Sequence, residues 1–173
     1  MSKVMDNILA RRSVRFFKDQ PVEQEKLEKI VEAAIWAPSG HNQQTWHFIM
    51  ISNIEKIQEL ANAVRKATGS PASYNFYAPS AFFIVSGKRD NSNGPLDAGA
   101  AMENAFLAAT DLGVASCWIN QVRDACNDPD VRKLLTEMEL PEDHDVWASC
   151  ALGYGAREGI VPKRKENTVT FIK

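Results

Sequence analysis

The sequence predicts a layered α/β or α+β protein in which helices cover a sheet. Three observations lead there. Amphipathic helical stretches and short apolar runs alternate along the whole chain. The 173 residues, 45% of them apolar, are enough for one substantial core. No internal repeat, low-complexity tract or linker divides the chain, so one domain over residues 1–173 is expected.

The elements follow in order. Val4, Ile8 and Leu9 have helical spacing, which starts a short helix near Ser2. After Pro21, Leu27, Ile30, Val31, Ala34 and Ile35 recur at helical steps. Trp46 to Ile51 is apolar except for His47 and reads as a buried strand. Ser52 or Asn53 can cap the next helix, whose inner face is Ile57, Leu60, Ala61 and Val64. Thr68 to Asn75 is a breaker-rich loop. Ala81 to Val85 is a second strand, and Lys88 to Pro95 a polar surface loop. A small-residue helix runs from about Asp97 to Leu112 and stops at Gly113. Its alanine face suits either core packing or a subunit interface. Val114 to Ile119 is a third strand. Asp128-Pro129 opens a helix as N-cap and N1, with Val131, Leu134, Leu135 and Met138 inward. Val146 to Leu152 is a fourth strand, Gly153 to Lys165 is irregular and basic, and Thr168 to Ile172 alternates like a closing strand.

Composition narrows the function. A net charge of −2 argues against nucleic acid or an anionic membrane as partner. No apolar run reaches bilayer length and no signal peptide is visible, so a cytoplasmic protein is expected. Cys117, Cys126 and Cys150 are odd in number and lack C-x-x-C spacing, which speaks against a disulfide framework or structural zinc. His41, His47 and His144 do not cluster at metal spacing. Neither a G-x-S-x-G elbow nor a Cys nucleophile with a partner His is legible. Gly153-Tyr154-Gly155 is not a dinucleotide fingerprint, because the next glycine is misplaced and Pro162 stands where a helix should start.

Three stretches carry chemistry instead. Arg11-Arg12-Ser13-Val14-Arg15 places three guanidinium groups and a hydroxyl within reach of one phosphate. Lys163-Arg164-Lys165 is a second basic cluster, and a fold that joins the ends of the chain would merge the two. Between helix and strand, Ala37-Pro38-Ser39-Gly40-His41-Asn42-Gln43-Gln44-Thr45-Trp46 offers uncharged amides suited to the edge of a neutral heterocycle. Together they describe a protein that holds a cofactor and lets it react.

In these motifs the chain resembles the nitroreductase family of FMN-dependent, NAD(P)H-using flavoproteins. Asp97 to Asn104, Leu112 to Trp118, and Ala151 to Tyr154 add to the likeness, which runs from Ile8 to Lys165. The resemblance implies an α+β nitroreductase-like sandwich. Its central, mostly antiparallel sheet is flanked by helices, and a domain-swapped C-terminal strand joins two subunits. It implies a homodimer with shared sites. Arg11, Arg12, Ser13 and Arg15 would hold the FMN phosphate and ribityl chain, joined by Lys163 and Lys165. Pro38, Ser39 and Gly40 would come from the partner, and Asn42 and Gln44 would meet the pyrimidine edge. NADH or NADPH would reduce FMN at N5 and a small-molecule acceptor, nitroaromatic or quinone, would reoxidise it by ping-pong turnover. No catalytic side chain and no metal is required.

Three features depart from the family's pattern. Thr45 replaces a proline, Ile119-Asn120-Gln121 replaces a glycine-bearing segment near N5, and the stretch between Gly69 and Pro95 leaves room for little lid. The rival reading is a non-catalytic flavin or nucleotide sensor or store.

Overall fold

The structure is a computed structural model and describes residues 2–173. Its elements are α1 (Lys3–Ala10), α2 (Gln24–Ile35), β1 (Trp46–Ile51), α3 (Ile54–Thr68), β2 (Ala81–Lys88) and α4 (Gly94–Asp111). They continue with β3 (Ala115–Trp118), α5 (Gln121–Ala125), α6 (Pro129–Glu137) and β4 (His144–Gly153). The four strands form one antiparallel sheet in the order β1-β2-β4-β3. This is the α+β arrangement, with helices on both faces.

Strand alternation divides the core. Phe83 and Val85 of β2 face one side, where Leu27 and Ile30 of α2 meet Ala98, Ala101, Met102 and Ala105 of α4. Phe82 and Ile84 face the other, against Ile57, Leu60 and Val64 of α3, Val122 of α5, and Val131 and Leu135 of α6. The alanine stripe of α4 is therefore core, and it lets α4 lie close to α2.

Local chemistry sets the boundaries. Asn53 rather than Ser52 caps α3, accepting from the Lys56 N–H at 3.0 Å. Asp128 caps α6 through the Asp130 and Val131 N–H groups at 3.1 and 3.3 Å. Gly113 ends α4 with φ +71°, a left-handed conformation that suits glycine. Pro95 sits in the first turn of α4, which begins at Gly94, earlier than the Asp97 expected from the alanine pattern.

Two expectations need correction. The strand at Thr168–Ile172 does not form within this chain; Val169 is 67% exposed, Phe171 84% and Ile172 96%. Strand β1 is half-buried rather than buried except at Ile51, because it is an edge strand. Helix α5 has no counterpart in the sequence pattern, since five residues cannot display a helical period.

Candidate active site

The loop between α2 and β1 is bent into an unusual path. His41, Asn42 and Gln44 have φ of 53°, 54° and 49°. Each such left-handed residue costs about 1 kcal/mol or more unless its surroundings impose it. The surroundings do. Asn42 N–H donates to the Ser39 carbonyl at 3.0 Å and Gln43 N–H to the Gly40 carbonyl at 3.1 Å. Gln44 N–H donates to Ser39 Oγ at 3.1 Å. Gly40 N–H donates to Asp97 Oδ1 of α4 at 2.9 Å. The Gln44 side-chain amide donates to Asn42 Oδ1 at 2.8 Å. The Asn42 NH2 group and the Gln44 side-chain carbonyl take no part in that bond, and both residues are exposed. Pro38 is exposed at its start, with Ser39 and Gly40 half-buried.

The basic run lies elsewhere. After α1, Ser13 pairs with Ser116 at the edge of β3, and Val14 N–H donates to the Ser116 carbonyl at 2.9 Å. The chain leaving β4 returns alongside: Lys18 N–H donates to the Tyr154 carbonyl and Ala156 N–H to the Phe16 carbonyl, each at 2.8 Å. Gly159 then lies so close to Arg12 that a Cβ there would collide with its side chain. Arg12, Ser116, Gly159 and Val161 border a hollow of about 380 Å³. Lys163 follows Val161 by two residues, within about 7 Å of chain. The fold thus brings the first and last basic clusters to one end of the molecule. Arg15 reaches the other way, its guanidinium 6.0 Å over the Tyr77 ring. Beside it lies a second hollow of about 390 Å³ bordered by Phe16, Tyr74 and Tyr77.

The cations differ in how they are engaged. Arg11 Nε is 3.8 Å from Glu103 and its guanidinium 6.0 Å over Phe106. Arg12 donates to the carbonyls of Leu9 and Arg11 at 2.6 and 2.7 Å. Among the described residues, no carboxylate lies within 4.0 Å of Arg12, Arg15, Lys163, Arg164 or Lys165.

The loop and the Arg12 hollow stand toward opposite ends of α4, whereas Arg11 meets Glu103 near its middle. Gly40 is tied to Asp97 near its start, while the Arg12 hollow includes Thr110 near its end. Thirteen residues of helix separate them by roughly 20 Å.

Other groups are poor candidates for chemistry. Burial pushes the Cys117, Cys126 and Cys150 thiols up, away from the reactive thiolate. Ser86, His144 and Asp143 imitate a triad, but Ser86 is fully buried and donates its proton to the His47 carbonyl at 3.1 Å. Among the described residues no cluster of His, Cys, Asp and Glu fits a metal, and no helix is long and apolar enough to cross a membrane. Asp97 was missed as a positioning group, because an acidic residue in a first helical turn has an ordinary explanation in the helix dipole.

The family model described as "Nitroreductase family" matches residues 8–154. The chain belongs to the nitroreductase family. A nitroreductase with bound FMN from Bacteroides fragilis superposes with a TM-score of 0.95 at 36% identity, covering 100% of both chains. One from Desulfitobacterium hafniense, also with bound FMN, gives 0.90 at 26% identity and the same coverage. By sequence, an Archaeoglobus fulgidus protein whose name pairs NADH dehydrogenase with NAD(P)H nitroreductase is 32% identical over 159 residues, 89% of this chain and 86% of its own length. The α+β sandwich of this nitroreductase-family chain is the fold of those structures.

Proposed function

We propose that this chain is an FMN-dependent oxidoreductase that takes hydride from NADH or NADPH and delivers it to an electron-poor small molecule, nitroaromatic or quinone in type. The observation that carries the reading is the set of cations without carboxylate partners, Arg12 and Arg15 with Lys163 to Lys165, in a chain so similar to FMN-bound nitroreductases. The donor set fits FMN. A phosphate needs several cations and an adjacent hydroxyl, which Arg12, Ser13, Arg15, Lys163 and Lys165 offer. The pyrimidine edge needs a donor for its carbonyls and an acceptor for its N–H. The exposed amide group of Asn42 and carbonyl of Gln44 are such a pair.

FMN, when bound, supplies an N5 atom that can accept hydride and give it up. The chain's own work is placement. Arg12, Arg15 and Lys163 would hold the phosphate end, which requires Arg15 to turn from the Tyr77 ring and Arg11, if it takes part, to turn from Glu103. Asn42 and Gln44 set the ring's orientation, while Pro38, Ser39 and Gly40 cover one side and exclude water. No side chain has to move a proton between donor and acceptor. Donor and acceptor would take turns over the same flavin face, which makes turnover ping-pong.

The exposed C-terminal segment and membership of the nitroreductase family support a homodimer in which each site takes its clamp from one subunit and its loop from the other. The sheet has one edge to offer for the swapped strand. Ser13 and Val14 already cover β3, whereas the outer edge of β1 is uncovered, so Thr168–Ile172 of one subunit extends β1 of the other.

The test is the visible spectrum of purified protein, before and after anaerobic NADH or NADPH. A yellow protein with extractable FMN that bleaches and regains colour with a quinone is expected. Colourless protein that cannot be reconstituted with FMN refutes the reading. Bound FMN that neither nicotinamide bleaches means a flavin store.

A further inference from the structure

We infer that Asn91 is a positioning residue for the flavin ring, acting through Thr45 on the amide pair of Asn42 and Gln44. The inference rests on the flavin reading above. The turn between β2 and α4 lies outside the motifs that identify the family, and its sequence, Lys88 to Pro95, has the look of an ordinary polar turn. Its contacts are not ordinary. Asn91 Nδ2 donates to Thr45 Oγ1 at 2.7 Å, across 46 residues of sequence. The same side chain accepts the Asn93 N–H on Oδ1 at 3.0 Å. Asn93 in turn packs against the other end of the loop: a Cβ on Gly40 would fall 2.5 Å from Asn93 Nδ2. One short turn therefore grips both ends of the segment from Gly40 to Thr45.

That segment needs gripping. It holds three left-handed non-glycine residues within four positions, and its internal hydrogen bonds fix its shape but not its place. Its place is fixed at one end by Gly40 to Asp97 and the Asn93 side chain beside it, and at the other by the pairing of Trp46 with Gly87 and the side-chain tie of Thr45 to Asn91. Gln44, which presents the carbonyl, is adjacent to Thr45. Releasing Thr45 lets the Gln44 backbone leave its left-handed well, and the amide pair loses its spacing. A hydroxyl-to-amide tie at this position thus converts turn geometry into orientation of the ring-binding groups.

The experiment measures binding rather than turnover. Wild-type, Asn91→Ala, Thr45→Val, the double variant and Thr45→Ser are stripped of cofactor and titrated with FMN and with riboflavin, following fluorescence. Riboflavin lacks the phosphate, so it reports the ring end alone. Each single variant should weaken both ligands about tenfold and by the same factor. The double variant should be no worse than either single, and Thr45→Ser should recover wild-type affinity within twofold. Arg15→Ala should weaken FMN and leave riboflavin nearly untouched. Folded single variants that bind both flavins within twofold of wild type overturn the inference; so do losses that multiply in the double variant. A purely structural tie lowers thermal stability without moving either affinity, which also overturns it. Wild-type protein that binds neither flavin sinks the flavin reading instead, and this inference with it.

Discussion

Three arginines within five residues look equivalent, yet the structure gives them different work. Arg11 has an acidic neighbour in Glu103 and an aromatic one in Phe106, and Arg12 spends hydrogen bonds on the last carbonyls of its own helix. Arg15 lies 6.0 Å over the Tyr77 ring and, among the described residues, has no carboxylate within 4.0 Å. Its guanidinium is the one most free to meet a phosphate, so Arg15→Ala should remove about 1.5–3 kcal/mol of charge-assisted bonding. FMN affinity should fall roughly tenfold to a hundredfold, and Arg11→Ala should cost less; a fluorescence titration ranks them. His144 makes a separate prediction at this scale. Its ring is buried, with Nδ1 3.1 Å from Ser86 Oγ and the His47 ring 6.4 Å away. Burial lowers its pKa, helped by His47, Lys88 and Arg132 and opposed by Asp143. The unfolded chain titrates near 6.5. Below that pH the unfolded chain takes up a proton that the folded one refuses, so stability is full above about 6.5 and falls as pH drops toward the lower folded value. Urea melts from pH 7.5 to 5 should show that decline, and His144→Gln should flatten it. An unchanged slope would show that other groups cause it.

At the scale of elements, α4 is the axis to which the candidate site is fastened. Its start holds Gly40 through Asp97, and its buried alanines at 98, 101, 105 and 109 set how closely it lies to the sheet and to α2. Ala105 is fully buried, so Ala105→Leu should overpack this seam and cost about 1–3 kcal/mol, read from the denaturation midpoint at fixed protein concentration. Such elements were legible in the sequence for a physical reason. Leu27 to Ala34, Ile57 to Val64 and Val131 to Met138 repeat at helical steps long enough to count, and Asp128-Pro129 and Gly113 carry their own capping chemistry. What was not legible depends on contacts distant in sequence. The half-burial of β1 follows from its place at the sheet's edge. The left-handed residues in the loop are His, Asn and Gln, and only the ties to Asp97 and Asn91 impose that shape. Thr45, where the family's loop carries proline, looked like a simple departure; the hydroxyl's partner is visible only once the turn at 91 folds against it.

The whole molecule poses a question of closure. Phe171 and Ile172 in the C-terminal segment, Leu96 at the start of α4 and Val4 on α1 all stand largely exposed. The proposed pairing of subunits would cover such surface, and β1 keeps an edge that a monomer would have to protect. Two copies arranged so that each loop faces the other's clamp would complete two sites at once. Complementation tests this directly. A chain carrying Arg12→Ala and Arg15→Ala lacks a clamp, and a chain carrying Ser39→Trp lacks a usable loop. Each should be nearly inactive alone. Unfolded together and refolded, they should form mixed dimers with one intact site apiece and regain a measurable fraction of NAD(P)H–quinone activity. Deleting residues 168–173 should shift the sedimenting species toward monomer and abolish that recovery. An active monomer in the ultracentrifuge, or mixed dimers that fold but stay inactive, would mean that loop and clamp serve one site within a single chain, and that the helix between them bridges two ends of one bound molecule.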